Sequence, residues 1–178
     1  MLISAILLAF FGLLRVSEYT SKWVSRFEED ATLMITDISV DMSNRIIHVH
    51  IKVSKTDPFR QGVTIRVSAT NNDLCPFTAL TSFLQVRGGA FGPLFTFGDN
   101  SYLTRNHVTR LLRSNFPEST VNTHSLRKGG ASALAALGVP DYVIQLLGRW
   151  KSDAYRKYIN FPDAFITAAN SAMANHQQ

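Results

Sequence analysis

The sequence predicts a single α+β domain that is mostly helical and carries a small three-stranded antiparallel sheet after its first helix. Two patterns lead to this fold class. Residues 31–70 alternate β-branched and polar residues between turn segments, whereas the stretches on either side repeat apolar residues with the period of a helix. The chain has 178 residues, of which 46% are hydrophobic, so it has the size of one domain with a substantial core.

Residues 2–19 are expected to form one helix, because they are apolar nearly all round and become polar only at the C-terminal end. Arg15 closes the apolar run. An unpaired buried charge is strongly destabilising, so this arginine needs a partner. Glu18, one turn further on, can be a structural partner, and the phosphate of a ligand can be another.

The same apolar start imitates a signal peptide, but it has no basic region before it and no small-residue cleavage site after it. It is also shorter than the roughly 20 residues that a membrane-spanning helix needs. We therefore expect a buried helix and no membrane partner. The single cysteine, Cys75, excludes an internal disulfide framework and a cysteine zinc site, and it indicates an intracellular compartment. A small buried hydrophobe is favoured over a reactive thiol at this position.

The sheet is predicted from strict alternation along residues 46–54, where successive side chains point to opposite faces of a strand. One face carries the apolar set Ile47, Val49, Ile51 and Val53, and the other carries His48, His50, Lys52 and Ser54. Val63, Ile65 and Val67 repeat the pattern after the turn segment "TDPFRQG". Residues 41–44 supply the other turn, so three antiparallel strands with one wet face are expected.

From Pro76 onward the period is helical. One helix should end at Gly88, and a second should run from an N-cap at Thr104 to a stop at Pro117. A third is expected between a Thr123 cap and Gly138, with an inward stripe of Leu126, Gly130, Leu134 and Leu137. A short helix from Pro140 to Gly148 and two helical pieces broken at Pro162 complete the chain.

Several polar residues are candidates for a binding or catalytic site. His124 and Arg127 lie three residues apart on the first turn of a predicted helix, beside free backbone N–H groups, which suits a phosphate or a solvated basic turn equally well. Lys55 lies at a hairpin tip, where a lysine is usually solubilising. Tyr155 and Tyr158 share one helix face, a spacing typical of core residues.

Charge and motifs narrow the class of ligand. Lys and Arg outnumber Asp and Glu by 18 to 13, giving a formal net charge of +5, which mildly favours a polyanionic partner such as nucleic acid. The histidines are scattered without a metal-ligand spacing, and no glycine-rich phosphate loop occurs. We therefore expect neither a metal nor a cofactor.

Five motifs taken in order give a stronger signal than any of them alone. The segments "GLLRVSE", "SKTD", "HSLR", "LLGRW" and "YRKYI" follow one another between Leu7 and Ile159. This order resembles the catalytic domain of the tyrosine recombinases, also called the phage integrase family. The wording of "SKTD" and "LLGRWKSDAYRKYI" is most similar to the crypton and DIRS-like recombinases of eukaryotic mobile elements and to host proteins derived from them.

The resemblance implies a role for each matching residue. Arg15 and Arg127 would clamp the scissile phosphate, and His124 would be the general acid and base. Lys55 would protonate the leaving 5′ oxygen, with Lys52 as the alternative lysine. Tyr158 would be the nucleophile, because Tyr155 is one turn out of register.

The chain departs from the family pattern at one position, where a histidine or tryptophan usually follows "LG". Here Arg149 follows, and Trp150 comes next. Either residue can contact the phosphate or the nucleophile. An arginine keeps a hydrogen-bond donor there but loses the capacity for proton transfer, so Arg149 joins the candidate catalytic residues.

The resemblance implies DNA strand cleavage and rejoining through a 3′-phosphotyrosine link, on double-stranded DNA, without metal or cofactor, in a tetramer, and in the nucleus if the source is eukaryotic. It also implies that residues 1–178 form the catalytic domain alone, without the DNA-binding domain that usually precedes it. Two alternatives stay open: a catalytically silent binding module derived from a mobile element, and a type IB topoisomerase, which the short "LGRW" spacing fits less well.

Overall fold

A computed structural model describes residues 1–53, 57, 59, 61–117, 120–158 and 163–175 of the chain. The strands are β1 (Ile38–Asp41), β2 (Ile46–Ile51) and β3 (Val63–Ser68). The α-helices are α1 (Leu2–Phe11), α2 (Val16–Tyr19), α3 (Pro76–Arg87), α4 (Arg105–Asn115), α5 (Ser125–Ala136), α6 (Asp141–Leu147) and α7 (Asp163–Asn175). Two 3₁₀ helices, Ile35–Asp37 and Asp153–Tyr158, complete the described elements. The predicted α+β class is confirmed.

The first helix is shorter than expected. We predicted one helix over residues 2–19, but α1 ends at Phe11, and α2 begins only after Arg15. Leu13 lies between them in the left-handed region, with φ of 47°. This break is invisible to apolar periodicity, because the residues around it are as apolar as the helix itself. Arg15 is therefore the N-cap residue of a new short helix and not the end of a long one.

The sheet has the strand order β1-β2-β3, and both pairs are antiparallel. Val49 in the central strand lies opposite Ile38 on one side and Ile65 on the other. The predicted alternation is confirmed in β2, since Ile47, Val49 and Ile51 are buried while His50 on the other face is exposed. The buried face packs into the main core together with residues of α1 and α3.

Three of the predicted helices have the expected ends. Cys75 is buried, as expected, and is the N-cap of α3, which stops before Gly88 with φ of 71°. Thr104 is the N-cap of α4, and α6 lies between Pro140 and Gly148. Gly88 in the left-handed region ends a helix at no steric cost, since it has no Cβ.

Helix α5 differs from its prediction in its cap and at the last position of its inward stripe. His124 is the N-cap in place of Thr123. Gly130 is buried, and Leu126 and Leu134 pack against the two apolar clusters, as the stripe predicted. Leu137 is 80% exposed, and the other buried residues of the helix are Arg127, Ala131 and Ala135. The helix packs closely on α1, because a Cβ at Gly130 would lie 2.7 Å from the carbonyl oxygen of Phe10. Small residues face that contact, and the leucines lie to either side of it.

The apolar residues form two clusters. The larger cluster joins α1, α3, α4 and the sheet, and the smaller one joins α5, α6 and the second 3₁₀ helix through Ala131, Ala135, Ile144 and Tyr155. Helix α7 is the last described element, and Pro162, where we expected a break, lies outside the described residues. None of the helices in the described part of the chain is both long enough and apolar enough to cross a bilayer.

Candidate active site

Arg15 and Glu18 form a tight unit at the start of α2. The backbone N–H of Arg15 donates to Glu18 Oε2 over 2.8 Å, and Arg15 Nη1 donates to Glu18 Oε1 over 2.8 Å. The Glu18 side chain is only 2% exposed, while that of Arg15 is 18% exposed. The carboxylate both caps the helix and holds the guanidinium, so the structural partner that we named for Arg15 is present.

Arg149 joins the same carboxylate from the other end of the sequence. Its Nη2 donates to Glu18 Oε2 over 2.6 Å. Burial is the main cause that lowers the pKa of Arg149, and the charge of Glu18 acts against that shift. The result is a buried Arg–Glu–Arg cluster with one net positive charge, and sequence reasoning did not foresee the link between residues 18 and 149.

Arg127 lies behind this cluster. Its side chain is almost fully buried, and its two terminal nitrogens donate to the carbonyl oxygens of Leu13 and Gly148. The Trp150 ring covers the guanidinium, with 4.3 Å between the guanidinium carbon and the ring centroid. Arg127 therefore joins the turn before Arg15 to the turn after α6.

His124 faces a group of cations. It is the N-cap of α5, and its backbone N–H donates to Asn122 Oδ1 over 2.9 Å. Partial burial lowers the pKa of the imidazole below its ordinary value, and the positive charges of Lys128, Arg127, Arg15 and Arg105 lower it further. These charges act on His124 from α4, from α5 and from the start of α2. The neutral imidazole that results can accept a proton.

Lys128 is the cation that sequence reasoning overlooked in this group. It is exposed on the first turn of α5, directly after Arg127. The signal was available, since a helix that starts with "HSLRK" places three basic residues in one and a half turns.

Of the two candidate lysines, Lys52 lies among the described residues and Lys55 does not. Lys55 lies outside the described residues, so its assignment stays a prediction. Lys52 follows the end of β2 and forms a 2.8 Å ion pair between its Nζ and Asp37 Oδ2. Its ammonium group therefore has a carboxylate partner at the start of the sheet.

Of the two tyrosines, Tyr155 is a core residue. It is 1% exposed and packs on Trp150, with 5.6 Å between the ring centroids. This agrees with the core spacing noted in the sequence. Tyr158 ends the same 3₁₀ helix, and its assignment as the nucleophile stays a prediction, as do the roles of the other site residues.

No protein-family model and no curated protein matches this sequence. Solved structures do match it. The Tn1549 transposon integrase in complex with circular intermediate DNA is similar over 98% of this chain and 57% of its own, at 16% identity and a TM-score of 0.55. XerA recombinase matches over 99% of this chain and 62% of its own, at 19% identity and a TM-score of 0.60.

XerH site-specific recombinase, bound to palindromic difH substrate in a post-cleavage complex, matches over 95% of this chain and 44% of its own. The identity is 19% and the TM-score is 0.62. The chain thus spans between 44% and 62% of the length of these structures. At this identity the comparisons establish the fold, and the expected tyrosine recombinase catalytic-domain fold is confirmed.

Proposed function

We propose that this chain cleaves and rejoins DNA strands through a covalent link between Tyr158 and a DNA 3′ phosphate. The observation that carries the proposal is the meeting of basic residues from distant parts of the chain. Arg15, His124 and Arg127 come from the turn before α2 and the start of α5, and the charges of both arginines act on the imidazole of His124. A convergent group of cations suits an anionic phosphodiester.

The chemistry needs these residue types. A free tyrosine has a pKa near 10, so only about 0.1% of it is phenolate at pH 7, and it must attack an anion. Arginines keep their charge at any relevant pH and donate in pairs to phosphate oxygens. A histidine titrates near neutrality and can take the phenol proton. Donors that stabilise transition-state charge contribute about 3–4 kcal/mol each.

In the proposed cleavage step, the Tyr158 oxygen forms a bond to phosphorus while the bond between phosphorus and the 5′ oxygen breaks. The phenol proton passes to His124, and Lys55 supplies a proton to the leaving 5′ oxygen. The link conserves the energy of the phosphodiester, so attack by a second 5′ hydroxyl reverses the step and joins a new strand. The step needs neither an oxidant nor a metal.

The proposal extends to the source and the assembly. The sequences of the motifs "SKTD" and "LLGRWKSDAYRKYI" support a recombinase of the crypton or DIRS-like mobile elements, or a host protein derived from one. The partner would be double-stranded DNA, since the Tn1549 and XerH structures contain DNA. A homotetramer on DNA and a nuclear location in a eukaryote follow from the same resemblance.

One observation favours a second candidate, a silent DNA-binding or protein-binding module. Arg127 is 1% exposed beneath Trp150, and both of its terminal nitrogens donate to backbone carbonyls. A module that has lost catalysis would keep such an arginine as a packing residue. In an active enzyme the Arg127 guanidinium must also reach the phosphate, with the N–H groups that these carbonyls do not use.

A nicked suicide DNA tests the proposal, because the cleaved strand loses a short fragment and the covalent adduct accumulates. Wild-type protein should form an adduct that resists denaturation, and Tyr158→Phe should form none. Tyr155→Phe is the matched control, since it removes a phenol hydroxyl three residues away and should keep the adduct. DNA binding without any adduct would support the silent module, and an adduct that survives Tyr158→Phe would exclude the proposed nucleophile.

A further inference from the structure

Arg149 stands where the family pattern has histidine or tryptophan, yet its side chain is turned into the protein. Only 10% of the side chain is exposed. Beside the 2.6 Å bond to Glu18, its Nη atoms lie 3.4 Å from the Gly12 carbonyl oxygen and 3.5 Å from that of Leu13. Its Nε is buried without a hydrogen-bond partner among the described residues. Its described hydrogen bonds are therefore with Glu18 and with the turn that precedes Arg15.

Glu18 couples the two arginines. One carboxylate oxygen binds Arg15 Nη1, and the other binds both the Arg15 backbone N–H and Arg149 Nη2. A carboxylate that is 2% exposed has little access to water that could replace a lost partner. Removal of Arg149 would leave one oxygen poorly satisfied and release the carboxylate, so that the Arg15 guanidinium would lose its fixed position.

The backbone explains why Arg149 and Trp150 face different surroundings. Arg149 has φ of 57°, in the left-handed region that L-residues seldom adopt. The chain therefore turns sharply between Gly148 and Trp150, and the Trp150 ring folds back over Gly148 and covers Arg127. Of these two neighbours, Arg149 contacts Glu18, and Trp150 contacts an arginine that we expect at the phosphate.

We propose that Arg149 is a positioning residue that orients Arg15 through Glu18, and that Trp150 is the residue of this turn that lines the phosphate site. The inference rests on the proposed function and resolves the choice between the two residues that the motif left open. An arginine suits the role, because its planar guanidinium donates several hydrogen bonds in a fixed geometry that matches a carboxylate. Arg149 itself makes no contact with the phosphate.

The main test compares Arg149→Gln in two backgrounds. In otherwise wild-type protein at saturating nicked DNA, Arg149→Gln should slow adduct formation on the order of 10- to 100-fold. This is the expected cost when a catalytic group is displaced by up to about 1 Å. In an Arg15→Ala background it should cause no further loss, since there is no longer an arginine to position. A further loss in that background would overturn the inference in favour of direct phosphate contact.

A substrate with a methylphosphonate at the cleaved position supplies a readout that a purely structural role would not change. This substitution removes one negative charge and lessens the need for Arg15. The defects of Arg149→Gln and Arg15→Ala should then shrink together, while a defect of Arg149→Gln that is equal on both substrates would contradict positioning. Arg149→Lys should restore part of the rate through its ion pair with Glu18. Lys151→Gln, at an exposed neighbouring position, is the control that should keep the full rate.

Melting temperatures separate the failure of this inference from the failure of the proposed function. If wild-type protein forms no adduct, the proposed function fails, but the coupling through Glu18 can still be measured. Glu18→Gln and Arg149→Gln should each lower the melting temperature, and the double variant should lose clearly less than the sum. Additive losses would overturn the coupling whether or not the chain cleaves DNA.

Discussion

The two apolar clusters are built from different residues and carry different parts of the site. The larger cluster consists mainly of leucine, isoleucine, valine and phenylalanine side chains, and it joins α1, α3, α4 and the sheet. The smaller cluster has two alanines, one isoleucine and one tyrosine as its buried described members. Leu14 and Val16, the neighbours of Arg15, lie in or against the larger cluster, whereas Trp150, which covers Arg127, packs on the smaller one.

Apolar packing holds the elements of the larger cluster together, whereas polar contacts contribute much of what holds the helices of the smaller cluster in place. Arg127 donates to the Leu13 carbonyl, and Arg149 binds Glu18, so that both arginines tie the C-terminal helices to the turn between α1 and α2. Close contact through glycine adds to this at Gly130. The region that carries most of the site is expected to be the less stable one, because few apolar groups hold it.

The largest effect should come from a cavity in the larger cluster. Leu8 is fully buried in α1, and Leu8→Ala should destabilise the fold by about 2–5 kcal/mol, from lost burial and an unfilled cavity. Denaturant unfolding measures this change. Ile3→Ala on the same helix is the control, since Ile3 is 72% exposed and should change stability little. Similar losses in both variants would show that α1 does not anchor the core.

The contact of α5 with α1 should give the next effect. A Cβ at Gly130 would lie 2.5 Å from Leu13 Cδ2 and 2.7 Å from the Phe10 carbonyl oxygen, so Gly130→Ala should cost about 1–3 kcal/mol through overpacking. The neighbouring Gly129→Ala is the matched control. Its Cβ would meet Phe10 at 3.4 Å, an ordinary contact, and alanine favours a helix, so stability should stay equal or rise slightly.

Gly148→Ala should have a smaller effect that is confined to the site. A Cβ at this position would overlap the Trp150 ring, which must then leave the Arg127 guanidinium, at a cost of about 1 kcal/mol of cation–π contact. The fluorescence of Trp150, measured in a Trp23→Phe background, should report a more solvated ring. Gly98→Ala, which meets nothing within 4 Å, should leave the spectrum unchanged. An unchanged spectrum in Gly148→Ala would mean that the ring does not lie over Gly148.

The sequence predicted those elements whose signals are local. The end of α3 at Gly88 and the start of α4 at Thr104 both lie where expected. Each depends on a residue type that favours one backbone geometry. The alternation along β2 predicted its buried face for a similarly local reason, since successive side chains of a strand point to opposite faces of the sheet. The motif order added Arg15, His124 and Arg127, which the structure brings close enough for their charges to interact.

What the sequence could not supply depends on contacts between distant residues. The break after Phe11 needs Leu13 in a left-handed conformation, which no periodicity reveals. On α5, Ala131 and Ala135 are buried while the more apolar Leu137 is 80% exposed, because the packing of the helix on its neighbours decides which residues are covered. The pair of Glu18 and Arg149 spans 131 residues, and nothing in the sequence around either residue indicates the other.

The smallest expected effect concerns the charges around His124 and not the stability of either cluster. Burial lowers the pKa of this imidazole most, and Lys128 is the first of the charges that lower it further. Lys128→Gln should therefore raise the pKa of His124 part of the way towards its ordinary value of about 6.5, with burial still holding it below. A proton NMR titration of the imidazole measures the midpoint. Arg45→Gln, an exposed charge beside Phe77, is the control and should leave the midpoint unchanged.

The sign of the linked stability follows from the same shift. Because the pKa of His124 is lower in the folded protein than in the unfolded chain, the unfolded chain binds the proton more tightly. The contribution of His124 to stability is therefore complete above the unfolded pKa and is lost as the pH falls through the folded one. Lys128→Gln should make this loss on acidification smaller. A greater loss of stability at acidic pH in Lys128→Gln would mean that Lys128 does not act on the imidazole as a like charge, and would contradict the grouping of cations on which the proposed phosphate site depends.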